Sequence, residues 1–335
     1  MTDFPSGCFI NIQEFNMTNE EFVGIDVAKD KFDVCLQQEN GSSAQGVFNN
    51  HPTGFKEFVV WLKTHSKAPW IGMEATGYYS EVLADFLVSQ GMKVSVINPL
   101  QIKCFSKMKL ARNKNDQIDA KIIAHYVQLM NPSLFKPRSS EQKYIRELVQ
   151  LEETLRSHRS QLKLQLSCAQ SGEIRKEFEK SIKQLDKRLK ALGETLENSF
   201  KAYEPWQPLV QLLTGIKGVG ALSAYRLLAY LPDISFFKSA KQLAAFIGVS
   251  PKQKTSGKYI GETKLSKLGD SRLRKILYMP AMNAKRFNPA LQPFVNRLKS
   301  KGMAPKAIVG AVMRKLVHII FGVLKNKTAF NPDLV

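Results

Sequence analysis

The chemistry most legible in this chain rests on four acidic residues, Asp26, Glu74, Asp116 and Asp119. Asp26 ends the short apolar run FVGID, and Glu74 ends WIGME. Asp116 and Asp119 sit three apart in NDQIDAKIIAHY, which reads as the first turn of a helix, so both carboxylates share one face. Two carboxylates at strand ends and two on one helical turn make a cage of hard oxygen donors. Such a cage suits Mg²⁺ or Mn²⁺, ions that support phosphate chemistry. Taken singly, each residue has a structural reading: acids are common at strand ends and in first helical turns, and Asp116 could cap its helix. Their joint placement favours the metal. Asp30 and Asp33 lie near Asp26 but read as solvated, one in a turn and one at alternating parity in a strand.

The charge balance names the phosphate. The 335 residues carry a net charge of +20, unevenly spread. Residues 1–100 hold 6 basic and 12 acidic residues, and the remainder 43 basic and 17 acidic. A chain divided in this way suggests one part that holds metal and another that holds a polyanion, here a nucleic acid. The four cysteines, Cys8, Cys35, Cys104 and Cys168, are far apart with no CxxC spacing, which argues against zinc and fits a reducing compartment. Residues 1–20 lack the pattern of a signal peptide and read as a loose extension, with Met17 an alternative start. No apolar run is read as long enough to span a membrane.

The elements that must position the acids follow from periodicity. FVGIDVA, KFDVCLQQ and AQGVFNN read as three meandering strands, and Pro52 to Thr64 as a helix. WIGMEA, a helix from Tyr78 to Gln90, KVSVINP, and a helix from Asp116 to Met130 follow. The order βββαβαβα is that of an RNase H-like fold, which sets the first and fourth strands side by side and makes Asp26 and Glu74 neighbours. Lys103, Lys107, Lys109, Arg112 and Lys114 form a basic stretch ahead of the last helix, suited to backbone phosphates or simply a basic loop.

Residues 21–138 thus read as the metal-binding domain. Residues 139–204 carry an apolar stripe at helical spacing, broken at Ser171–Gly172, and read as either a helical hairpin or an intermolecular coiled coil. Residues 205–335 read as a basic helical domain. In it, LLTGIKGVGALSAYRLLAYL is helix, glycine turn, helix, a helix-hairpin-helix whose turn bears Lys217. A polar loop follows, SPKQKTSGKYIGETKLSKLGDSRLRK, with Ser256 flanked by Lys252, Lys254 and Lys258, and with Arg272 and Arg274 at its end. A serine there has positive charge at hand to stabilise attack on phosphate, although TSG alone is only a turn. Ser250 and Ser266 are rivals.

Together these segments resemble a known family. GIDVAKDKFDV, MEATGYY, NPLQIKCFSKMKLARNKNDQIDA and the late LLTGIKGVG and SPKQKTSGKYIGETKLSKLGDSRLRKIL are similar to the DEDD insertion-sequence transposases. These are RuvC-like serine recombinases related to the Piv DNA invertases. The resemblance implies Asp26, Glu74, Asp116 and Asp119 as ligands of Mg²⁺ or Mn²⁺, and Ser256 as a nucleophile that forms a phosphoserine link. It further implies donor and target DNA as substrates, a guide non-coding RNA from the element, and dimers pairing into a tetramer with an active site shared between subunits. The place of action would be the bacterial cytoplasm, at the nucleoid. A DNA invertase of the same family, a metal-dependent junction endonuclease and a non-catalytic nucleic-acid scaffold are the competing readings.

Overall fold

The computed structural model describes residues 21–38, 41–109, 115–252, 255–256, 259–260 and 263–334. It comprises two compact units that divide between Pro137 and Arg138.

The first unit opens with an antiparallel meander, β1 (Phe22–Val27), β2 (Lys31–Gln37) and β3 (Ser43–Asn49). Then come α1 (Pro52–His65), β4 (Trp70–Glu74), α2 (Tyr78–Ser89), β5 (Lys93–Ile97), α3 (Pro99–Met108) and α4 (Asp116–Met130). The strand order is β3-β2-β1-β4-β5, with β4 parallel to both β1 and β5. The first and fourth strands are therefore adjacent, as the element order predicted. Because strand side chains alternate in direction, each strand splits its residues between two faces. Val23, Ile25, Val27, Phe32, Val34, Leu36, Ile71 and Met73 pack with α1 and α2. Gly24, Asp26, Asp33, Gly72 and Glu74 have the opposite parity.

Helix α3 is a departure from expectation. Residues 99–108 are not a basic loop: Asn98 caps the helix by accepting from Leu100 N at 2.9 Å, and Pro99 sits at the first helical position. Proline there stops β5 and starts the helix at once, since its missing N–H is one a first turn leaves unpaired anyway. Asp33 is a second departure. It is 4 % exposed, not solvated.

In the second unit, α5 (Ser140–Cys168) and α6 (Gly172–Ala202) fold back on one another, joined by Arg159 Nη1 to Asp186 Oδ1 at 3.0 Å. This is the hairpin alternative for the apolar stripe. Glu152 of α5 is 2 % exposed and receives Arg156 Nη2 at 2.7 Å and Nε at 3.0 Å, together with Arg226. Arg226 lies on α8 (Ala221–Tyr230), which follows α7 (Gln207–Thr214), so a buried carboxylate fastens the hairpin to the helical core. After α9 (Ala240–Ile247) come four two-residue strands in nested ladders. β6 (Pro251–Lys252) pairs with β9 (Lys264–Leu265), and β7 (Thr255–Ser256) with β8 (Tyr259–Ile260). The polar loop of the sequence reading is thus partly strand. α10 (Ser271–Phe287), α11 (Gln292–Ser300) and α12 (Pro305–Asn326) complete the unit; α11 was not expected.

Helix α12 corrects a further expectation. It is long and apolar enough to cross a membrane, with a mean hydropathy of 1.9 over its most apolar window. Ile308, Val312, Leu316, Ile320 and Leu324 are buried in the core of this unit, which accounts for its composition.

Candidate active site

The carboxylates are gathered by two glycines. Gly24 of β1 and Gly72 of β4 face each other in register on the sheet surface that α4 covers. A Cβ on Gly24 would lie 1.9 Å from Ala120 O and 2.4 Å from Ala124 N. One on Gly72 would lie 2.2 Å from Val127 Cγ2. Helix α4 therefore rests on a sheet stripped of side chains at these points. Two residues further along each strand, on that same face, are Asp26 and Glu74. Across the β1–β2 ladder, Asp26 is paired in register with Asp33.

The first turn of α4 adds the other two acids. Its cap is Asn115, whose Oδ1 accepts from Ile118 N at 2.7 Å, so Asp116 is not used as the cap. Asp116 is exposed and Asp119 half-buried. Lys31 bridges the hairpin to the helix: its Nζ donates to Asp33 Oδ2 and to Asp116 Oδ2, each at 2.9 Å. These bonds, to Asp116 first and Asp33 second, raise the Lys31 pKa. The electrostatics report the convergence. Burial pushes the Asp26 carboxyl up to about 6, and the carboxylates of Asp119, Asp116, Glu74 and Asp33 push the same way in that order.

Asp26 thus feels four other carboxylates, and acids of this kind are hard oxygen donors, the type that Mg²⁺ and Mn²⁺ take. Among the described residues no three acids, histidines or cysteines are already closed to ligand distance. Sequence reasoning missed Lys31 and misplaced Asp33. The signal lay in GID and GME: in each, a glycine stands two residues before the acid, on the acid's own face.

The second group of predicted residues lies in the other unit. Ser256 is in β7, in register with Tyr259. Lys252 is exposed in β6. Lys254, Lys258, Arg112 and Lys114 fall outside the described residues, as does the Met17 start. The base of the ladders is pinned to the helices on either side: Asp270 N donates to Phe246 O at 2.8 Å, and Ser266 N to Ser250 O at 2.8 Å. Ser266 Oγ accepts from Leu268 N at 3.3 Å. Arg274 Nη1 donates to Ile247 O at 2.8 Å and Gly269 O at 3.0 Å, so this arginine is engaged in holding the loop base. Arg272 is exposed and stacks over Tyr230, 5.5 Å from its centroid. Lys217 is exposed in its turn. That turn approaches α10 so closely that a Cβ on Gly218, at φ +110°, would lie 2.6 Å from Ala284 N. In the first unit, Lys107 and Lys109 are exposed at the end of α3, with Lys109 5.7 Å from the centre of the Phe105 ring.

Comparison with known proteins adds a separate line. A transposase family model matches residues 23–169, and the model of the IS116/IS110/IS902 transposase family matches residues 210–296. The pilin gene-inverting protein of Moraxella lacunata is 32 % identical over 94 % of this chain and 99 % of its own length. The corresponding Moraxella bovis protein has the same identity and coverage. The transposase of insertion sequence element IS1111A from Coxiella burnetii is 25 % identical, covering 88 % of this chain and 84 % of its own.

Proposed function

Because this chain belongs to the IS116/IS110/IS902 transposase family and is therefore a DNA recombinase, we propose that it moves a mobile DNA element by cutting and rejoining strands through a serine ester, with a divalent cation at its carboxylates. The observation that carries this reading is the arrangement around Asp26. Two glycine-cleared strands and one capped helix half-bury Asp26, which raises its carboxyl, and bring Asp119, Asp116, Glu74 and Asp33 close enough to add to that rise. A scaffold that only binds DNA has no use for converging carboxylates that repel the phosphodiester. We read the first unit as an RNase H/RuvC-like domain on its strand order.

Asp26, Glu74, Asp116 and Asp119 would hold the cation. When bound, it supplies Lewis-acid polarisation of the phosphate oxygens. Ser256 Oγ then attacks phosphorus. Its bond to phosphorus forms as the bond from phosphorus to a deoxyribose oxygen breaks; the serine proton passes to water, and the departing deoxyribose oxygen takes a proton from water and leaves as a hydroxyl. Attack by a deoxyribose hydroxyl of the new strand reverses the step, releases Ser256 and restores a phosphodiester. Lys252, Lys254 and Lys258 supply positive charge beside the nucleophile, while Lys217, Lys107, Lys109 and Arg272 offer phosphate contacts. A guide RNA and a tetramer assembled from dimers belong to the same reading. Exposed Tyr144 and Leu151, seven residues apart on α5, are a surface suited to such assembly.

The experiment is trapping of the protein–DNA adduct. Ser256→Ala is expected to bind DNA but give neither cleavage nor adduct. Asp119→Asn or EDTA is expected to stop cleavage. Cleavage without any adduct would replace this reading with a hydrolytic nuclease, and a modified Ser250 or Ser266 would move the nucleophile. The near-complete coverage of the pilin gene-inverting proteins favours one second reading, a DNA invertase. Flanking DNA separates the two: an invertible segment marks the invertase, and a structured non-coding stretch the transposase.

A further inference from the structure

Helix α10 turns to solvent a face that the chemistry above does not use. Leu273, Ile276, Leu277, Pro280, Ala281 and Ala284 are its buried side. Lys275, Tyr278, Met279, Met282 and Arg286 are exposed, and their spacing of three and four residues lines them up as one stripe. Tyr278 is 44 % exposed, Met279 59 % and Met282 38 %. Phe287, 62 % exposed, ends the helix, with the Arg286 guanidinium 5.1 Å from its ring centre. That end is fixed beside the turn that bears Lys217: Asn288 is buried and donates from Nδ2 to Lys217 O at 3.0 Å. Exposed apolar residues scattered singly need no explanation, but a row of them with a cation at each end does.

Charge decides what can cover the stripe. Residues 271–332 hold 13 Lys and Arg and no Asp or Glu. A second copy would set like charge against like charge, so the occupant is a polyanion. The apolar middle decides which kind. A duplex presents phosphates and polar base edges, with which Met279 and Met282 make no hydrogen bond. An unpaired strand presents the flat faces of its bases, which stack on aromatic side chains while cations follow the backbone. We propose that the exposed face of α10 docks an unpaired DNA strand, with bases against Tyr278, Met279, Met282 and Phe287 and with Lys275, Arg286 and Lys217 at the phosphates. The proposal rests on the strand exchange inferred above, which frees DNA strands from their partners. Lys275 and Arg286 stand about 16 Å apart at the rise of an α-helix, room for roughly five phosphates at their spacing along one strand of a duplex.

The test reads binding, not turnover. Full-length wild-type protein in EDTA is irradiated with a short thymine-rich DNA strand bearing 5-iododeoxyuridine, and the joined peptide is mapped by mass spectrometry. A cross-link within residues 275–287 is expected. By fluorescence anisotropy, Tyr278→Ala should bind that strand on the order of 10-fold more weakly, the worth of one stacked base, and a duplex of the same sequence as tightly as wild type does. Tyr278→Phe keeps the ring and should bind the strand like wild type. Cross-links only elsewhere in the chain would overturn the proposal. Equal losses on strand and duplex in Tyr278→Ala would overturn it too and make α10 a groove-reading helix. Tighter binding of the matching RNA strand, lost in Tyr278→Ala, would replace DNA by RNA as the occupant and refute the assignment made here. The cross-link needs no variant, so it decides even where Tyr278→Ala folds poorly. EDTA keeps the carboxylates and Ser256 out of the readout, so a missing Ser256 adduct would sink the exchange chemistry without altering the cross-link.

Discussion

Gly24→Ala is the most demanding test of how the carboxylates are assembled. The added methyl would lie 1.9 Å from Ala120 O, whereas ordinary contact begins at 3.4 Å. Both nearest atoms belong to the α4 backbone, so no side chain can swing aside. The helix must retreat by about 1.5 Å, or the strand must, and overpacking of this kind costs about 1–3 kcal/mol. With backbone on both sides the upper end is expected. For a unit of this size, each kcal/mol lowers the melting temperature by roughly 4 °C, giving a fall of about 10 °C. The chemical effect should be larger than the thermal one. Asp116 and Asp119 ride on α4, and ligand distances tolerate only about 0.2 Å. Misplacement by about 1 Å costs on the order of 100-fold in rate. The assay pairs a thermal melt with Mn²⁺ titration and adduct formation. Gly193→Ala in α6, where a methyl meets nothing within 4 Å, is the control and should gain up to about 1 kcal/mol. Gly24→Ala melting within about 2 °C of wild type and cleaving within about twofold of it would refute the close-packing argument.

Three further outcomes are expected. In metal-free protein the Asp26 carboxyl titrates near 6, against 3.8 for an ordinary aspartate, so the folded state holds a proton the unfolded state has released. Stability from this group is therefore highest below about pH 4 and falls as pH rises to 6, by about 1–2 kcal/mol after allowance for partial solvation. Asp26→Asn should flatten that slope in a urea-denaturation series, and an unchanged slope would contradict the crowding. Glu152→Gln removes the buried charge to which Arg156 and Arg226 donate, and because both guanidinium groups keep access to solvent it should lower stability by roughly 1–3 kcal/mol in chemical denaturation. Replacing Lys252, Lys254 and Lys258 by Ala should reduce the slope of log affinity against log salt by up to about three, near one per lost phosphate contact; an unaltered slope would mean that this arm does not touch the backbone.

The sequence by itself determined the strands of the first unit and three of its four helices, because each of these has a strong local signal. Alternating apolar residues mark the strands, and apolar residues at helical spacing mark the helices. The four acids were legible since each ends or begins such an element. The hidden helix α3 escaped because Pro99 reads equally as a strand stop and a helix start. The short strands around Ser256 escaped because two-residue ladders have no periodicity to detect. What only tertiary structure decided is pairing. Register set Asp33 against Asp26, although by itself Asp33 has the profile of a solvated acid. The fold of β2 against α4 joined Lys31 to Asp116 across 85 residues. The use of Gly24 and Gly72 became visible only with Ala120 and Val127 against them. A single chain records which side chains exist and how often they recur. The distance between two such side chains is a property of how the elements stack, and here it is the stacking that turns scattered acids into one charged centre.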